Sequence, residues 1–211
     1  MSGGYVRPLY APEIGLQTAR LDLRLLSEDD IDAWADFLGD PEATRLLHTP
    51  APVRDRELAL AGLQRWIEMI EGPIGMYSLT VRDTGETVGF VGFVPRDHPW
   101  GQELELGWLI RPQFWGNGYA TEGARALKPL VPGRFVSMIR VENEASANVA
   151  RKLGMTVERE VDYHGFQDPG LGDSSLGRVG VPHFRHLFPI LPSTEVSPPR
   201  TWRRSGGDLD S

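Results

Sequence analysis

The residues best suited to chemistry lie in one stretch, residues 103–120, which reads ELELGWLIRPQFWGNGYA. Its second half holds Gly116-Asn117-Gly118, directly before apolar residues at helical spacing. Glycines allow a ligand to approach the backbone closely, and the free N–H groups of a helix's first turn attract anions. The spacing therefore favours the binding of a phosphate or diphosphate. A strand–turn–helix corner, in which the glycines serve only tight packing, is the alternative for so short a motif.

The elements around this stretch must position it. Alternating apolar residues predict a strand at 103–110, which Arg111-Pro112 ends, and a helix that begins near Gly118. Periodicity and turn residues predict further strands at 19–26, 76–82, 87–94, 135–141, 156–163 and 183–189, and helices at 27–39, 55–71 and 143–153. The segments 41–52, 95–102 and 164–182 are predicted connections or loops. Residues 1–15 are expected to form an irregular arm and 191–211 a disordered tail, which leaves 16–190 as the domain.

The longer pattern resembles a known family. A Walker loop is excluded because no Gly-Lys-Ser/Thr follows, and Thr121 stands where a dinucleotide-binding loop has its third glycine. Residues 113–120 read Gln113-x-x-Gly116-x-Gly118-Tyr119-Ala120. This motif is similar to the acyl-CoA loop of the GCN5-related N-acetyltransferases (GNAT). The motif that continues the resemblance downstream reads Asn143-x-x-Ser146-x-x-Val149-x-x-Lys152-x-Gly154-Met155. Together they look most like the branch that includes the ribosomal-protein N-terminal acetyltransferases.

The resemblance implies an α/β architecture, the GNAT fold. It has a mixed central sheet of about seven strands with a splayed parallel pair, flanked by about four helices. Acyl-CoA would lie where strands 103–110 and 135–141 part, because its amides can replace missing ladder partners. The residues that the resemblance assigns to this co-substrate are Ile110, Phe114, Trp115, Gly116, Asn117, Gly118, Tyr119, Ala120 and Asn143. A plain helix cap is the alternative role of Asn143.

Acetyl transfer to an amine needs a base for the amine and a donor for the leaving thiolate. The resemblance assigns the first role to Glu105. Glu103, on the same face of the strand, and a surface ion pair for Glu105 are the alternatives. Many relatives carry a tyrosine seven residues after the asparagine, where this chain has Ala150. The resembled branch instead points to Ser146 as the hydrogen-bond donor to sulfur, with helix capping as its alternative role.

Composition narrows the function classes. The 211 residues contain no cysteine, which excludes disulfides, a cysteine nucleophile and cysteine metal ligands. A net charge of −7 argues against general nucleic-acid binding. No signal pattern and no membrane-length apolar run is present, so a cytoplasmic location without membrane contact is expected. None of the five histidines has metal-ligand spacing, so no metal is expected. Each histidine is expected at the surface, and a place in a loop that borders the substrate gap is the alternative for His98 and His164.

The sequence therefore predicts an acetyl-CoA-dependent N-acetyltransferase that acts by direct attack in a ternary complex. The acceptor is an amine, which can be a protein N-terminus, an amino acid or a small amine. A non-catalytic acyl-CoA-binding sensor or interaction module, and an enzyme that modifies aminoglycosides or polyamines, are the alternatives. The protein is expected to be a monomer or homodimer. Trp34, Trp66 and Trp108 are expected in the core, whereas Trp100 and Trp115 are expected to line a pocket.

Overall fold

The structure is a computed structural model that describes residues 15–45, 47, 52–98, 100–163 and 179–186. The predicted arm, apart from residue 15, and the predicted tail lie outside these residues. The strands are β1 Leu16–Gln17, β2 Leu21–Leu25, β3 Gly75–Val81, β4 Thr87–His98, β5 Gly101–Ile110, β6 Phe135–Met138, β7 Thr156–Tyr163 and β8 Val179–His186. The helices are α1 Ile31–Gly39, α2 Pro41–Thr44, α3 Arg56–Glu68, α4 Tyr119–Leu127 and α5 Glu144–Lys152. Within the described part of the chain, no helix is long and apolar enough to cross a bilayer.

Strand β5 lies where the sheet changes direction. The described strands form one sheet in the order β1-β2-β3-β4-β5-β6-β8-β7. Neighbouring strands of this sheet run antiparallel, except that β5 and β6 are parallel and share the register pair Glu105–Val136. Beyond that pair the two strands part toward the C-terminal end of β5. This confirms the predicted mixed sheet with a splayed parallel pair.

The side chains of β5 alternate between two packed layers, as the period of a strand requires. Leu106 and Trp108 pack on the side of α4 and α5. Leu109 packs on the other side, against the hydrophobic cluster of α1 and α3. Glu105 has the parity of Leu109, so its carboxylate lies on the α1–α3 face of the sheet.

Two predicted loops were wrong for a common reason. The segment 95–102 is strand and tight turn, because β4 continues through Pro95 to His98. The last four residues of the predicted loop 164–182 belong to a strand, because β8 begins at Val179. Residues 164–178 lie outside the described residues. Both Pro95 and Pro182 stand where their strand has a neighbour on one side only, and an edge tolerates the missing N–H of proline.

A short helix also replaces part of the predicted connection 41–52. Helix α2 begins after Asp40, whose side chain accepts hydrogen bonds from the N–H groups of Glu42 and Ala43. Pro41 occupies the first helical position, where its missing N–H costs nothing. The cap and the proline together stabilise one turn that hydrophobic periodicity could not reveal.

Candidate active site

A groove of about 460 Å³ opens where β5 and β6 part, and we refer to it as the groove. Most residues that the sequence assigned to the co-substrate or the thiolate line it, namely Ile110, Phe114, Trp115, Gly116, Gly118, Tyr119, Ala120, Asn143 and Ser146. Its far end reaches the α1–α2 side, where Phe37, Glu42, Ala43, Arg45 and Leu47 line it. Asn117 and Glu105 are not among the lining residues. The groove therefore brings together the two sequence motifs, residues 113–120 and 143–155, which are separate in the chain.

The open end of the groove is the N-terminus of α4. Gly118 is the N-cap residue and has φ of 80°, a left-handed conformation that a side chain would strain. The first-turn N–H groups of α4 are free for an anion. Asn117 turns back onto the loop, where its Nδ2 donates to the carbonyl oxygens of Phe114 at 3.0 Å and Trp115 at 3.3 Å. The side chain of Asn117 thus braces the loop from outside the groove.

Arg20 adds a positive charge beside this end. Its guanidinium lies 4.8 Å from the centroid of the Tyr119 ring, and its Nε donates to Glu122 Oε2 at 2.7 Å. Burial by itself would raise the pKa of the Glu122 carboxyl, but hydrogen bonds from Thr18 and Arg20 and the charge of Arg20 outweigh burial and lower it. Sequence reasoning missed Arg20, because no local motif connects residues so far apart in the chain.

The middle of the groove exposes one backbone edge of β5. Ser137 Oγ donates to the Leu106 carbonyl oxygen at 2.6 Å, and Trp115 Nε1 donates to the Ile110 carbonyl oxygen at 2.6 Å. Backbone groups of alternate residues point to the same edge of a strand, so those of Trp108 also face the gap. Buried backbone groups need partners, and a ligand with amide groups can supply them.

Ser146 lies against this edge in a defined orientation. Trp108 Nε1 donates to Ser146 Oγ at 3.1 Å. Because the oxygen is already an acceptor, the hydroxyl hydrogen is available to a group in the groove. Asn143 Oδ1 accepts from the Ser146 N–H at 3.0 Å, so Asn143 is an N-cap, and its Nδ2 amino group can still donate to a ligand. Trp108 therefore belongs to the site as well as to the predicted core.

Glu105 lies at the closed end of the splay, at the last pair before β5 and β6 part. Ile110 lies five positions further along the strand, a distance of about 17 Å. Its side chain is 15% exposed. Its Oε1 lies 3.2 Å from His98 Nε2, and its Oε2 lies 3.9 Å from Arg96 Nε. Among the described residues, no aligned hydrogen bond reaches Oε1.

Glu103 has a different environment. Its carboxylate forms a close ion pair with Arg134, which also donates to Glu158 at 3.2 Å. Burial would lower the pKa of Arg134, but Glu103 and Glu158 together raise it, so the guanidinium stays charged. The carboxylate of Glu103 is thus tied to a cation at close range, whereas Arg96 Nε lies 3.9 Å from Glu105 Oε2.

Gly107 lies between Glu105 and Leu109 on the same face of β5, and it lines the groove. A Cβ atom placed on Gly107 would meet nothing within 4 Å. The missing side chain therefore leaves open space beside Glu105. Because Gly107 itself lines the groove, we expect this space to give the acid access to the groove.

His98 is the clearest correction to the sequence analysis. It was expected at the surface in a loop, but it ends β4 and its side chain is 0% exposed. Its ring stacks on Trp100 at 4.7 Å and 7°, so Trp100 packs on His98 instead of lining the groove. Extending the alternation of β4 past Val94 would have placed His98 on the face of Glu105. Within the described residues, no group of three acidic or histidine side chains is arranged to hold a metal.

Comparisons with known proteins agree with this architecture. Residues 20–156, well over half of the chain, match the family described as "Acetyltransferase (GNAT) domain". An uncharacterized N-acetyltransferase, p20 of Bacillus licheniformis, is 28% identical over 149 residues, 68% of this chain and 83% of that protein. Another, YoaA of Bacillus subtilis, is 25% identical over 188 residues, 85% of this chain and 98% of that protein.

Solved structures share the fold. One is RimL, a ribosomal L7/L12 alpha-N-protein acetyltransferase in complex with coenzyme A. It matches with a TM-score of 0.65 and 21% identity over 81% of this chain and 95% of that chain. At 21% identity, this similarity shows only that the two chains share a fold.

Proposed function

The chain belongs to the acetyltransferase (GNAT) family, and from that premise we propose which of its residues carry out the transfer and which amine receives the acetyl group. Membership makes it an acetyl-CoA-dependent acetyltransferase. The observation that carries the proposal is the arrangement of the groove. The N-terminus of α4 lies at one end and the backbone edge of Trp108 and Ile110 in the middle, and Glu105 stands outside the lining, at the closed end of the splay.

Each part of the groove suits one part of acetyl-CoA. The first turn of α4 after Gly118 would bind the diphosphate through backbone N–H groups. The backbone edge of Trp108 and Ile110 would bind the amides of the pantetheine arm. Asn143 would donate to the same arm through Nδ2. The thioester would then lie near Ser146, toward the closed end of the splay.

The chain's residues then perform acid–base work. Glu105 accepts a proton from the acceptor's ammonium group, directly or through water, and so frees the nitrogen lone pair for attack on the thioester carbonyl. A C–N bond forms and the C–S bond breaks. Ser146 donates a hydrogen bond to the leaving sulfur, which takes up the second proton of the amine. For each amide formed, one proton stays on Glu105 and must leave before the next turnover.

We infer that the acceptor is the α-amine of a protein or peptide N-terminus. The resemblance to the ribosomal-protein branch and the fold shared with RimL support this class. The α1–α2 end of the groove supports it too. Phe37 and Leu47 line it and offer apolar contact to a first side chain, and Glu42 and Arg45, which form an ion pair with Oε1 and Nη2 3.3 Å apart, offer a carboxylate and a guanidinium to a peptide backbone.

An acceptor panel tests this proposal. Thiol release from acetyl-CoA would be followed with peptides that have a free N-terminus, the same peptides with a blocked N-terminus, lysine, polyamines and aminoglycosides. We expect release with the free peptides, and mass spectrometry should place the acetyl group on the α-amine. Release with polyamines or aminoglycosides alone would replace this acceptor class with small amines. Binding of acetyl-CoA without release in any sample would favour a non-catalytic sensor.

A further inference from the structure

His98 is a buried titratable side chain that the proposed mechanism has not used. Its ring is held on one face by Trp100, with ring centroids 4.7 Å apart and planes 7° apart. Arg159 packs over Trp100, with its guanidinium carbon 4.5 Å from the ring centroid. Stacking and burial together restrict the imidazole to one orientation, because its rotamers would collide with packed neighbours.

That orientation points the imidazole at Glu105. Nε2 lies 3.2 Å from Oε1, within hydrogen-bond reach, and Arg96 Nε lies 3.9 Å from Oε2 on the other side. The carboxylate is therefore contacted at both oxygens by side chains of β4. Catalytic hydrogen bonds are often poorly aligned without substrate and align in the substrate complex. A carboxylate has about four lone-pair sites, so one contact at each oxygen leaves positions for the proton of the amine.

The contact between His98 and Glu105 matters because the pair lies beside the point where β5 and β6 part. Gly107, the next residue on this face of β5, gives Glu105 no side chain to pack against, and the space where its Cβ would lie is open. A base must stay within hydrogen-bond reach of the proton that it abstracts. A carboxylate that rotates into this space would lose that position. The buried imidazole at Oε1, together with Arg96 at Oε2, can prevent this rotation.

We propose that His98 is a positioning residue for Glu105: it donates a hydrogen bond from Nε2 to Oε1 and orients the carboxylate toward the amine. The proposal rests on the proposed role of Glu105 as base. His98 does not line the groove, so we do not expect it to touch acetyl-CoA. Its loss should therefore lower kcat and leave the affinity for acetyl-CoA unchanged.

Two substitutions at His98 separate hydrogen bonding from packing. Glutamine keeps an N–H donor at a reach similar to Nε2, whereas leucine fills similar space without a donor. We expect His98→Leu to lower kcat roughly tenfold to a hundredfold, the range seen when the partner of a functional side chain is removed. His98→Gln should stay within a few-fold of the parent, and KM for acetyl-CoA should not change in either variant. Should His98→Leu not fold, His98→Asn, whose amide is too short to reach Oε1, replaces it.

A double-mutant cycle with Glu105→Gln decides whether His98 acts through Glu105. We expect His98→Leu to have no further effect on kcat in the Glu105→Gln background, because residues that act as a unit are not additive. Additive losses, equal losses in the leucine and glutamine variants, or a full kcat in His98→Leu would each overturn the proposal. A full kcat in Glu105→Gln alone would instead overturn the proposed base, so the two failures are distinguishable.

Discussion

At the scale of single residues, the site depends on which hydrogen-bonding atoms are already occupied. The indole N–H of Trp108 binds the oxygen of Ser146, which directs the hydroxyl hydrogen away from Trp108. Arg134 occupies the carboxylate of Glu103, whereas Glu105 keeps an oxygen without an aligned donor among the described residues. Residues of the same type therefore differ in which of their atoms are still available to a substrate. They follow from contacts between distant parts of the chain.

Removing the Ser146 hydroxyl tests its role toward sulfur. We expect Ser146→Ala to lower kcat roughly tenfold to a hundredfold, because one hydrogen bond to a charged group contributes roughly 1.5–3 kcal/mol. The affinity for acetyl-CoA should change little, since the bond strengthens only as the thiolate forms. Steady-state kinetics and calorimetric titration with acetyl-CoA measure the two quantities.

Trp108→Phe is the matched control for the orientation of that hydroxyl. It keeps an aromatic ring in the core and removes the donor to Ser146 Oγ. A loss of kcat smaller than that of Ser146→Ala is expected, because the hydroxyl remains but can rotate. If Ser146→Ala and the parent have equal kcat, the leaving group takes its hydrogen bond from another residue.

Filling the space at Gly107 tests the route of the acceptor. Gly107→Val should fit the strand without clashes, because a Cβ there meets nothing within 4 Å. The valine would occupy the space between Glu105 and Leu109, so KM for the acceptor should rise at least tenfold. The dissociation constant for acetyl-CoA, measured by calorimetry, should stay within a few-fold of the parent. An unchanged acceptor KM would mean that the amine reaches the thioester from another side.

At the scale of elements, the start of α4 is the most constrained part of the groove. Its N-cap residue has a left-handed backbone, and the helix is attached to the β1–β2 turn through Glu122. Glu122 accepts from Thr18 Oγ1 at 2.6 Å and from the Arg20 N–H at 3.0 Å. The loop and the first turn thus have a fixed position before any anion binds.

Gly118→Ala measures what that backbone conformation contributes. A residue with a side chain costs roughly 1–2 kcal/mol in the left-handed region, so the free energy of unfolding should fall by that amount. We expect the affinity for acetyl-CoA to fall as well, because relief of the strain would move the first-turn N–H groups. Denaturant unfolding and calorimetry measure the two effects.

Gly72→Ala is a matched control for backbone strain. Gly72 has φ of 58°, and a Cβ there meets nothing within 4 Å. It lies outside the groove, so the same loss of stability should come with unchanged acetyl-CoA binding. Equal affinities for acetyl-CoA in the Gly118 and Gly72 variants would contradict the assigned diphosphate site.

The attachment of α4 through Glu122 predicts a pH dependence of stability. The pKa of Glu122 is lower in the folded chain than in the unfolded chain. As the pH falls, the folded state therefore binds fewer protons than the unfolded state does. Its stabilisation, roughly 1 kcal/mol for such a partly exposed network, is complete above the ordinary range of a glutamate. It is lost as the pH falls through the lowered pKa. The difference in unfolding free energy between the parent and Glu122→Gln should therefore shrink between neutral and strongly acidic pH.

Glu144→Gln provides the comparison for an exposed carboxylate. Arg151 lowers the pKa of Glu144 by a hydrogen bond and by its charge, but the pair is fully exposed. Water screens such pairs, so the pH-dependent difference should be smaller than for Glu122→Gln. Denaturant unfolding over a series of pH values measures both differences. A difference for Glu122→Gln that does not vary with pH would contradict the attachment.

At the scale of the whole molecule, the sequence predicted features that contiguous residues form and missed contacts between residues that are far apart in the chain. The loop and its two neighbouring elements are contiguous in the chain, so spacing predicted the strand–loop–helix arrangement, and the resemblance to the family supplied the roles of its residues. The partners of Glu105 could not, because His98 and Arg96 belong to a strand that was predicted to end at Val94. Arg20 was missed because it meets α4 only in the folded chain. The assigned roles, the cytoplasmic location and the monomer-or-homodimer state stay predictions.

The contrast between Glu105→Gln and Glu103→Gln tests the central claim most directly. With saturating acetyl-CoA and acceptor, kcat of Glu105→Gln should fall roughly 10²–10⁴-fold, the contribution of a general base. The dissociation constant for acetyl-CoA should not change, because Glu105 does not line the groove. Glu103→Gln should lose stability through its unpaired Arg134 and keep most of its kcat. A full kcat in Glu105→Gln, or a collapse in Glu103→Gln instead, would contradict the account.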